Sequence, residues 1–180
     1  MKLNIGAGSD IRKDFTNLDI AMLPGIDVVH NLNSYPWPFL DNQFDYIIAN
    51  DVIEHLENVI QALEELHRIS KLGATIEIQV PYWNSWSRHT DPTHKNSFTE
   101  DTFRFFDPKH DLCKERPYYS KARFDIAKET FVVTPILPNV PLPIFNYLEF
   151  TSSWSKWWLK LFANFFCNVI QDLKYELKKV

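Results

Sequence analysis

The chain has 180 residues, 45% hydrophobic and 15% aromatic, with a net charge of −4, which predicts one globular domain over residues 1–180 with a sizeable core and no broad basic surface for nucleic acid. Its two cysteines, Cys113 and Cys167, form no C-x-x-C pair, which suits a reducing compartment and excludes a sulfur-based zinc site. Neither a signal-like N-terminus nor a run of about 18 apolar residues is present, so a cytoplasmic location is expected.

In chain order, Leu3–Ile5 reads as a very short strand, Phe15–Ile20 as a second, Ile26–His30 as a third and Phe44–Ala49 as a fourth. The fourth is almost wholly apolar, as a strand covered on both faces should be. A helix then follows from the three- and four-residue recurrence of Val52, Ile53, Leu56, Val59, Ile60, Leu63, Leu66 and Ile69. Asp51 and Glu54 have capping-box spacing at its start, and Gly73 is placed to end it. Ala74–Val80 alternates as a fifth strand. Strand, helix, strand in this order predicts a doubly wound α/β fold with a mostly parallel sheet.

Beyond Pro81 the pattern weakens. Residues 82–123 are rich in aromatics, His and Pro, with a short helix expected at Thr99–Phe106. Phe124–Val133 and Asn168–Lys178 read as strands six and seven. Residues 135–166 lie between them as an inserted connection, with four prolines (Pro135, Pro138, Pro141, Pro143) and a Trp- and Phe-rich helix.

The turn after the first strand carries Gly6-Ala7-Gly8. A dinucleotide fingerprint needs a third glycine where this chain has Ile11, and the crossover is too short for the helix whose N-terminus would hold a pyrophosphate. No G-K-[ST] follows, so a triphosphate loop is excluded as well. Asp19 closes the second strand at the edge where open parallel sheets bind ligands, and a carboxylate there can accept from both ribose hydroxyls. Both features can also be structural, a tight turn and a solvated acid. Together they describe a nucleoside site with little provision for phosphate, which S-adenosylmethionine fits.

The order of LNIGAGSD, LDI, VVHNLNSYPWPFLDNQFDYIIANDVIEHL and LHRISKLGATIEIQVP resembles the class I S-adenosylmethionine-dependent methyltransferases of the type 11 kind over residues 1–81. The glycine motif appears as NIGAG, the LPF-x-D-x-SFD segment as WPF-L-D-N-QFD, the VLEHL helix start as VIEHL and the RVLKPGG turn as RISKLGA. The resemblance implies a seven-stranded Rossmann-like sheet with a shortened first crossover. It also implies S-adenosylmethionine as cofactor, with Gly6, Ala7 and Gly8 at its methionine moiety, Asp19 on the ribose, Asn31 and Leu32 beside the adenine, and Asn50 near the amino-acid end. Asn4 and Asn31 replace acids common in relatives; an amide oxygen still accepts a hydrogen bond, but the changes leave a catalytically silent binding scaffold as an alternative. A nicotinamide-dependent reductase is a weaker one, given Ile11. Glu54 reads as the helix cap and His55 as a residue of the helix face.

The acceptor side is expected at PYWNSWSRHTDPTHKNSFTE, an acceptor-side loop or lid within residues 82–123 and directly after the fifth strand. Its DPTH and SFT sequence resembles a segment of methyltransferases in this group, many of them associated with cell-surface polysaccharides. Three readings stand. His94 or His89 is a base oriented by Asp91, with Arg88 for an anionic group; or the segment is a structural turn; or His89, Asp91 and His94 hold a metal, for which a fourth ligand is missing and the cofactor gives no need. The first reading makes His94, Asp91 and His89 the catalytic candidates, with no metal assigned and a small-molecule or glycan acceptor. Trp154, Trp157, Trp158, Leu161, Phe162, Phe165 and Phe166 share one helical face opposite Lys156 and Lys160. That face can pack on the sheet, form a homodimer interface or dock peripherally on a membrane.

Overall fold

A computed structural model describes residues 1–133 and 147–180. Its centre is a sheet of eight strands among the described residues: β1 (Lys2–Ile5), β2 (Thr16–Asp19), β3 (Val28–Val29), β4 (Phe44–Asn50), β5 (Ser70–Pro81), β6 (Phe124–Val133), β7 (Leu148–Phe150) and β8 (Asp172–Lys179). The strand order is β3-β2-β1-β4-β5-β8-β6-β7. The first five strands pair in parallel, whereas β8 runs antiparallel to both β5 and β6. The sheet is therefore of the doubly wound, mostly parallel kind that the sequence predicts, with one strand more. The extra strand, β7, pairs antiparallel with β6 through Phe131↔Phe150 and forms the outer edge. It lies within the inserted connection, whose prolines Pro135, Pro138, Pro141 and Pro143 are outside the described residues.

Burial follows the strand pattern. Leu3, Ile5, Leu18, Ile47, Ile76 and Leu177 are buried, and α1 (Val59–Ile69) covers them with Ala62, Leu63, Leu66 and Ile69. Trp37 is buried beside this helix, its backbone N–H donating to Glu65 Oε2 at 2.7 Å. Beyond β5 the chain forms α2 (Trp86–Thr90) and α3 (Asp111–Glu115), with a tight turn at Phe103–Phe106 where a helix over Thr99–Phe106 is expected from sequence. That turn's Phe103 stacks on Phe98 and packs at a tilt against Tyr175.

The helix after β4 corrects the sequence reading at both ends. Asp51 sits at φ +50°, Ile53–His55 forms a single tight turn, and Leu56 is extended. The α-helix starts only at Val59, capped by the Asn58 side chain accepting from the Gln61 N–H at 3.0 Å. The expected capping box of Asp51 and Glu54 does not form, because the chain is not yet helical there and Glu54 is fully buried. At the other end Ser70, not Gly73, closes the helix: its backbone is extended and its hydroxyl donates to the Leu66 carbonyl at 2.6 Å. Gly73, at φ +75°, falls inside β5 where the pairing with β4 shifts register.

The aromatic helix is α4 (Ser153–Ala163), capped by Ser152. It packs with its lysines inward: Lys156 pairs with Glu129 at 2.7 Å and Lys160 with Glu100 at 2.6 Å. Trp154, Trp157, Phe162, Phe165 and Phe166 are exposed, Trp154 by 75%. Packing of the aromatic face on the sheet is thus overturned, since buried Glu100 and partly buried Glu129 draw the cationic side to the protein.

Candidate active site

The first cleft opens beyond the carboxyl ends of β1, β2 and β4. It holds about 710 Å³ and is lined by Gly6, Asp19, Ile20, His30, Asn31, Leu32, Asp51, Val52, His55, Pro92, Thr93 and Lys95, among others. Gly6 sits at φ +64°, and a Cβ there would meet Val52 Cγ2 at 2.5 Å, so only glycine fits between the first turn and the wall formed after β4. Asp19 is fixed by the Gly8 N–H on Oδ2 at 2.8 Å and the Ala21 N–H on Oδ1 at 2.9 Å. Each carboxylate oxygen keeps a lone pair for a ligand. No helix intervenes between β1 and β2, and the Lys95 ammonium is engaged by Glu57.

The loop after α2 is stitched onto the turn that follows β4. The backbone N–H groups of Lys95 and Asn96 donate to the Glu54 carbonyl at 2.8 and 3.1 Å, and the Asn96 amide donates to the Leu56 carbonyl at 2.6 Å. This brings His94 against Glu54 and His55. His94 Nε2 lies 3.7 Å from Glu54 Oε1, and the two imidazole rings are 4.6 Å apart, edge to face. His94 Nδ1 meets the Arg88 carbonyl at 3.2 Å. His55 Nδ1 meets Thr93 Oγ1 at 2.9 Å, and that hydroxyl donates to Asp91 Oδ1 at 2.6 Å. Neither oxygen of buried Glu54 has a hydrogen-bond partner among the described residues.

A second cleft, of about 580 Å³, adjoins the first across Asp51, which lines both. Glu54, Gln79, Trp86, His94, Tyr147, Asp172 and Lys174 also line it. Asp172 reaches this edge because β8 is antiparallel and begins where β5 ends, Pro81 pairing with Asp172. Burial pushes the Glu54 carboxyl up to about 8, with the Asp51 charge adding to the effect. Burial, with Asp51 again, pushes Asp172 up to about 7. Asp51 is raised by burial too, and His55 is lowered by burial and by the neighbouring His94. Groups that resist ionisation at a ligand edge mark a place arranged for proton transfer or for a cation.

Of the residues expected at the cofactor, Gly6, Asp19, Asn31 and Leu32 line the first cleft. Ala7 and Gly8 shape its glycine turn, the Ala7 N–H donating to the Leu18 carbonyl at 3.0 Å. Asn4 is buried beneath that turn, its amide donating to Asp10 O at 2.7 Å and Asn17 Oδ1 at 3.2 Å. Asn50 lines a separate groove with Glu77, Lys128 and Lys174. On the acceptor side, His94 lines the second cleft, Asp91 is exposed and held to Thr93, and His89 is exposed without lining either cleft. His89, Asp91 and His94 are therefore not gathered around one point. The sequence reading assigned Asp51 and Glu54 to a helix cap and His55 to a helix face, although their DVIEH spacing directly after a buried strand was an available signal, and it passed over Asp172 altogether.

A parallel sheet closed by an antiparallel strand, with a glycine turn and an acid at its ligand edge, defines the methyltransferase class of Rossmann-like domains. Residues 7–124 match the family described as a methyltransferase domain, and the chain belongs to that family. It is 39% identical over 56 residues to a bifunctional methionine biosynthesis protein, MetXA/MetW, of Rhodopirellula baltica, covering 31% of this chain and 9% of that protein. It is 32% identical over 100 residues to an uncharacterized protein of Methanocaldococcus jannaschii, covering 54% and 47%. The chain thus spans less than half the length of these relatives. Among solved structures, it is similar to a SAM-dependent methyltransferase of Thermotoga maritima described as a possible histamine N-methyltransferase (TM-score 0.61, 15% identity, 99% of this chain and 82% of that one). A SAM-dependent methyltransferase of Archaeoglobus fulgidus gives a TM-score of 0.59 at 17% identity, over 99% and 85%. S-adenosylmethionine is the expected cofactor, and the first cleft fits it: an acid for the ribose, apolar Ile20, Leu32, Val52 and Leu56 for the adenine, and, among the described residues that line it, a lysine already engaged by Glu57 and so not free for a phosphate.

Proposed function

We propose that this domain transfers a methyl group from S-adenosylmethionine to a hydroxyl of a small-molecule or glycan acceptor held in the second cleft. The observation that carries this reading is the contact of the two clefts at Asp51, with Glu54, His55 and His94 gathered at that junction. When bound, the cofactor supplies an electrophilic methyl group on a sulfonium. Asp19, Gly6, Asn31 and Leu32 would hold it, leaving the protein mainly to align the acceptor oxygen. An acceptor oxygen aligned there would take the methyl group in exchange for its proton, which would leave toward the junction cluster. His94 is its member from the DPTH loop. Its Nδ1 faces a carbonyl, which only accepts, so Nε2 carries the free lone pair. Asp91 acts at one remove, through Thr93 on His55. Trp86 and Tyr147 suit the face of a sugar ring. A silent scaffold would have no use for a buried carboxylate without a partner, and this favours the enzyme.

The test is incubation with labelled donor and a panel of nucleotide sugars, polyprenyl-linked sugars and small carboxylic acids. Turnover is expected with a hydroxyl-bearing member and should fall by about 10²–10⁴ in His94→Ala at unchanged cofactor affinity. Tight cofactor binding without turnover on any member would refute the transferase reading. The exposed aromatic face of α4 supports a homodimer interface over a membrane contact. Aromatics are enriched at protein interfaces, and the lysines that would meet anionic lipid are turned inward and paired.

A further inference from the structure

We propose that Glu54, His55 and His94 bind a divalent transition-metal cation at the junction of the two clefts. One ligand atom from each of the three lies within 4.8 Å of the others, and two imidazoles with one carboxylate form a donor set suited to zinc, manganese or iron with positions left open. Reaching bonds of about 2.0–2.2 Å requires these atoms to draw in by about an ångström, a movement open to His94 on its loop.

Three independent features point to a cation. First, Glu54 is fully buried, and neither carboxylate oxygen has a hydrogen-bond partner among the described residues; buried carboxylates are ordinarily paired or bound to metal. Second, each imidazole is held by a hydrogen bond at Nδ1, the kind of contact that orients metal-ligating histidines. The Arg88 carbonyl accepts from His94 Nδ1. Thr93 gives its own proton to Asp91, so its oxygen accepts from His55 Nδ1. Each ring therefore presents a lone pair at Nε2. Third, Asp51, Glu54 and Asp172 all face the second cleft, where the nearest ammonium, Lys174, is paired with Glu149 at 2.6 Å. A cation arriving there meets carboxyl groups that release their protons to it, so that binding is coupled to proton loss.

The inference rests on the methyl-transfer reading only for its role. A hydroxyl bound to the cation would lose its proton more readily; with His94 Nε2 on the metal, that proton would leave to Asp51, which lines both clefts, or to water in place of His94. The binding itself requires neither donor nor acceptor. After chelator treatment, the full chain is titrated with Zn²⁺ by calorimetry and with Mn²⁺ by electron paramagnetic resonance. One saturable site per chain is expected, with nitrogen modulation from imidazole in the pulsed Mn²⁺ spectrum. Affinity should fall at least a hundredfold in Glu54→Gln and His94→Ala. It should fall roughly ten- to a hundredfold in Thr93→Val, an exposed position whose change removes only the hydroxyl that orients His55. Absence of saturable binding by parent protein that still binds S-adenosylhomocysteine would overturn the metal site and leave the transferase reading intact. So would equal affinity in parent, Glu54→Gln and His94→Ala. Metal binding without any cofactor binding would instead overturn the transferase reading alone.

Discussion

Replacing Asp19 with alanine tests the cofactor cleft most directly. The carboxylate has two kinds of work in the structure: it accepts the N–H groups of Gly8 and Ala21, and it lines the cleft at the end of β2. Hydrogen bonds to a charged acceptor contribute about 1.5–3 kcal/mol, and about 1.4 kcal/mol is a tenfold change in Kd. Loss of the ribose contact therefore predicts a ten- to hundredfold weaker complex. The two freed N–H groups lie at the cleft surface, where water can replace the lost acceptor, so the folding cost should stay near 1 kcal/mol. Calorimetric titration with S-adenosylhomocysteine, alongside thermal melts of both proteins, separates the two effects. Asparagine at the same position should fall between parent and alanine, because it retains one acceptor oxygen and turns a donor toward one of the amides. An Asp19→Ala protein that melts normally and binds within twofold of the parent would refute the placement of the ribose at Asp19.

S-adenosylhomocysteine at a hundredfold excess over Kd should stabilise the parent by about 2.7 kcal/mol, read as a rise in Tm, while NAD should give none; a response to NAD alone would refute the cofactor. Gly6→Ala should destabilise the fold by about 2 kcal/mol or more, as judged by urea melts, because the new Cβ meets Val52 while φ stays positive. Adding Val52→Ala should recover only the steric part. Asp172 has a folded pKa raised to about 7, so the native state holds its proton where the unfolded state has released it. Its contribution is favourable below the unfolded value near 4 and is lost as pH rises to about 7, an upper bound of about 4 kcal/mol. Asp172→Asn should therefore gain stability over the parent on passing from pH 4 to pH 8, and equal pH slopes in denaturant melts would refute this. For α4, light scattering should show a dimer that Trp154→Ser with Trp157→Ser disperses; a monomeric parent would refute the interface.

The parallel half of the sheet was legible because its signals are local. Phe44–Ala49 is apolar throughout, Ile76, Ile78 and Val80 alternate, and the shortness of the β1–β2 connection is a matter of counting. The glycine turn and Asp19 were legible for the same reason, since both sit at strand ends. What misled was the continuity of an apolar stripe. Val52, Ile53 and Leu56 keep helical spacing with the residues that follow, yet all three are buried from a tight turn and an extended residue before the helix begins. Periodicity reports which side chains are buried, and not whether one uninterrupted element buries them.

That misreading carried the site with it. In a continuous helix, Glu54 is a cap and His55 a residue of an exposed face. With Asp51 at φ +50°, the chain turns sharply out of β4 and drives Glu54 inward. The carbonyl of Glu54 then stands free of helical bonding to receive Lys95 and Asn96, residues about forty positions later. The break in the helix is thus what recruits the DPTH loop and delivers His94. The lysines of α4 follow the same logic. Their composition opposite a Trp face reads as a solvated side, until buried Glu100 and partly buried Glu129, held by other elements, turn them inward. In both places a buried acid decides the arrangement, and an acid's burial is set by tertiary partners distant in sequence.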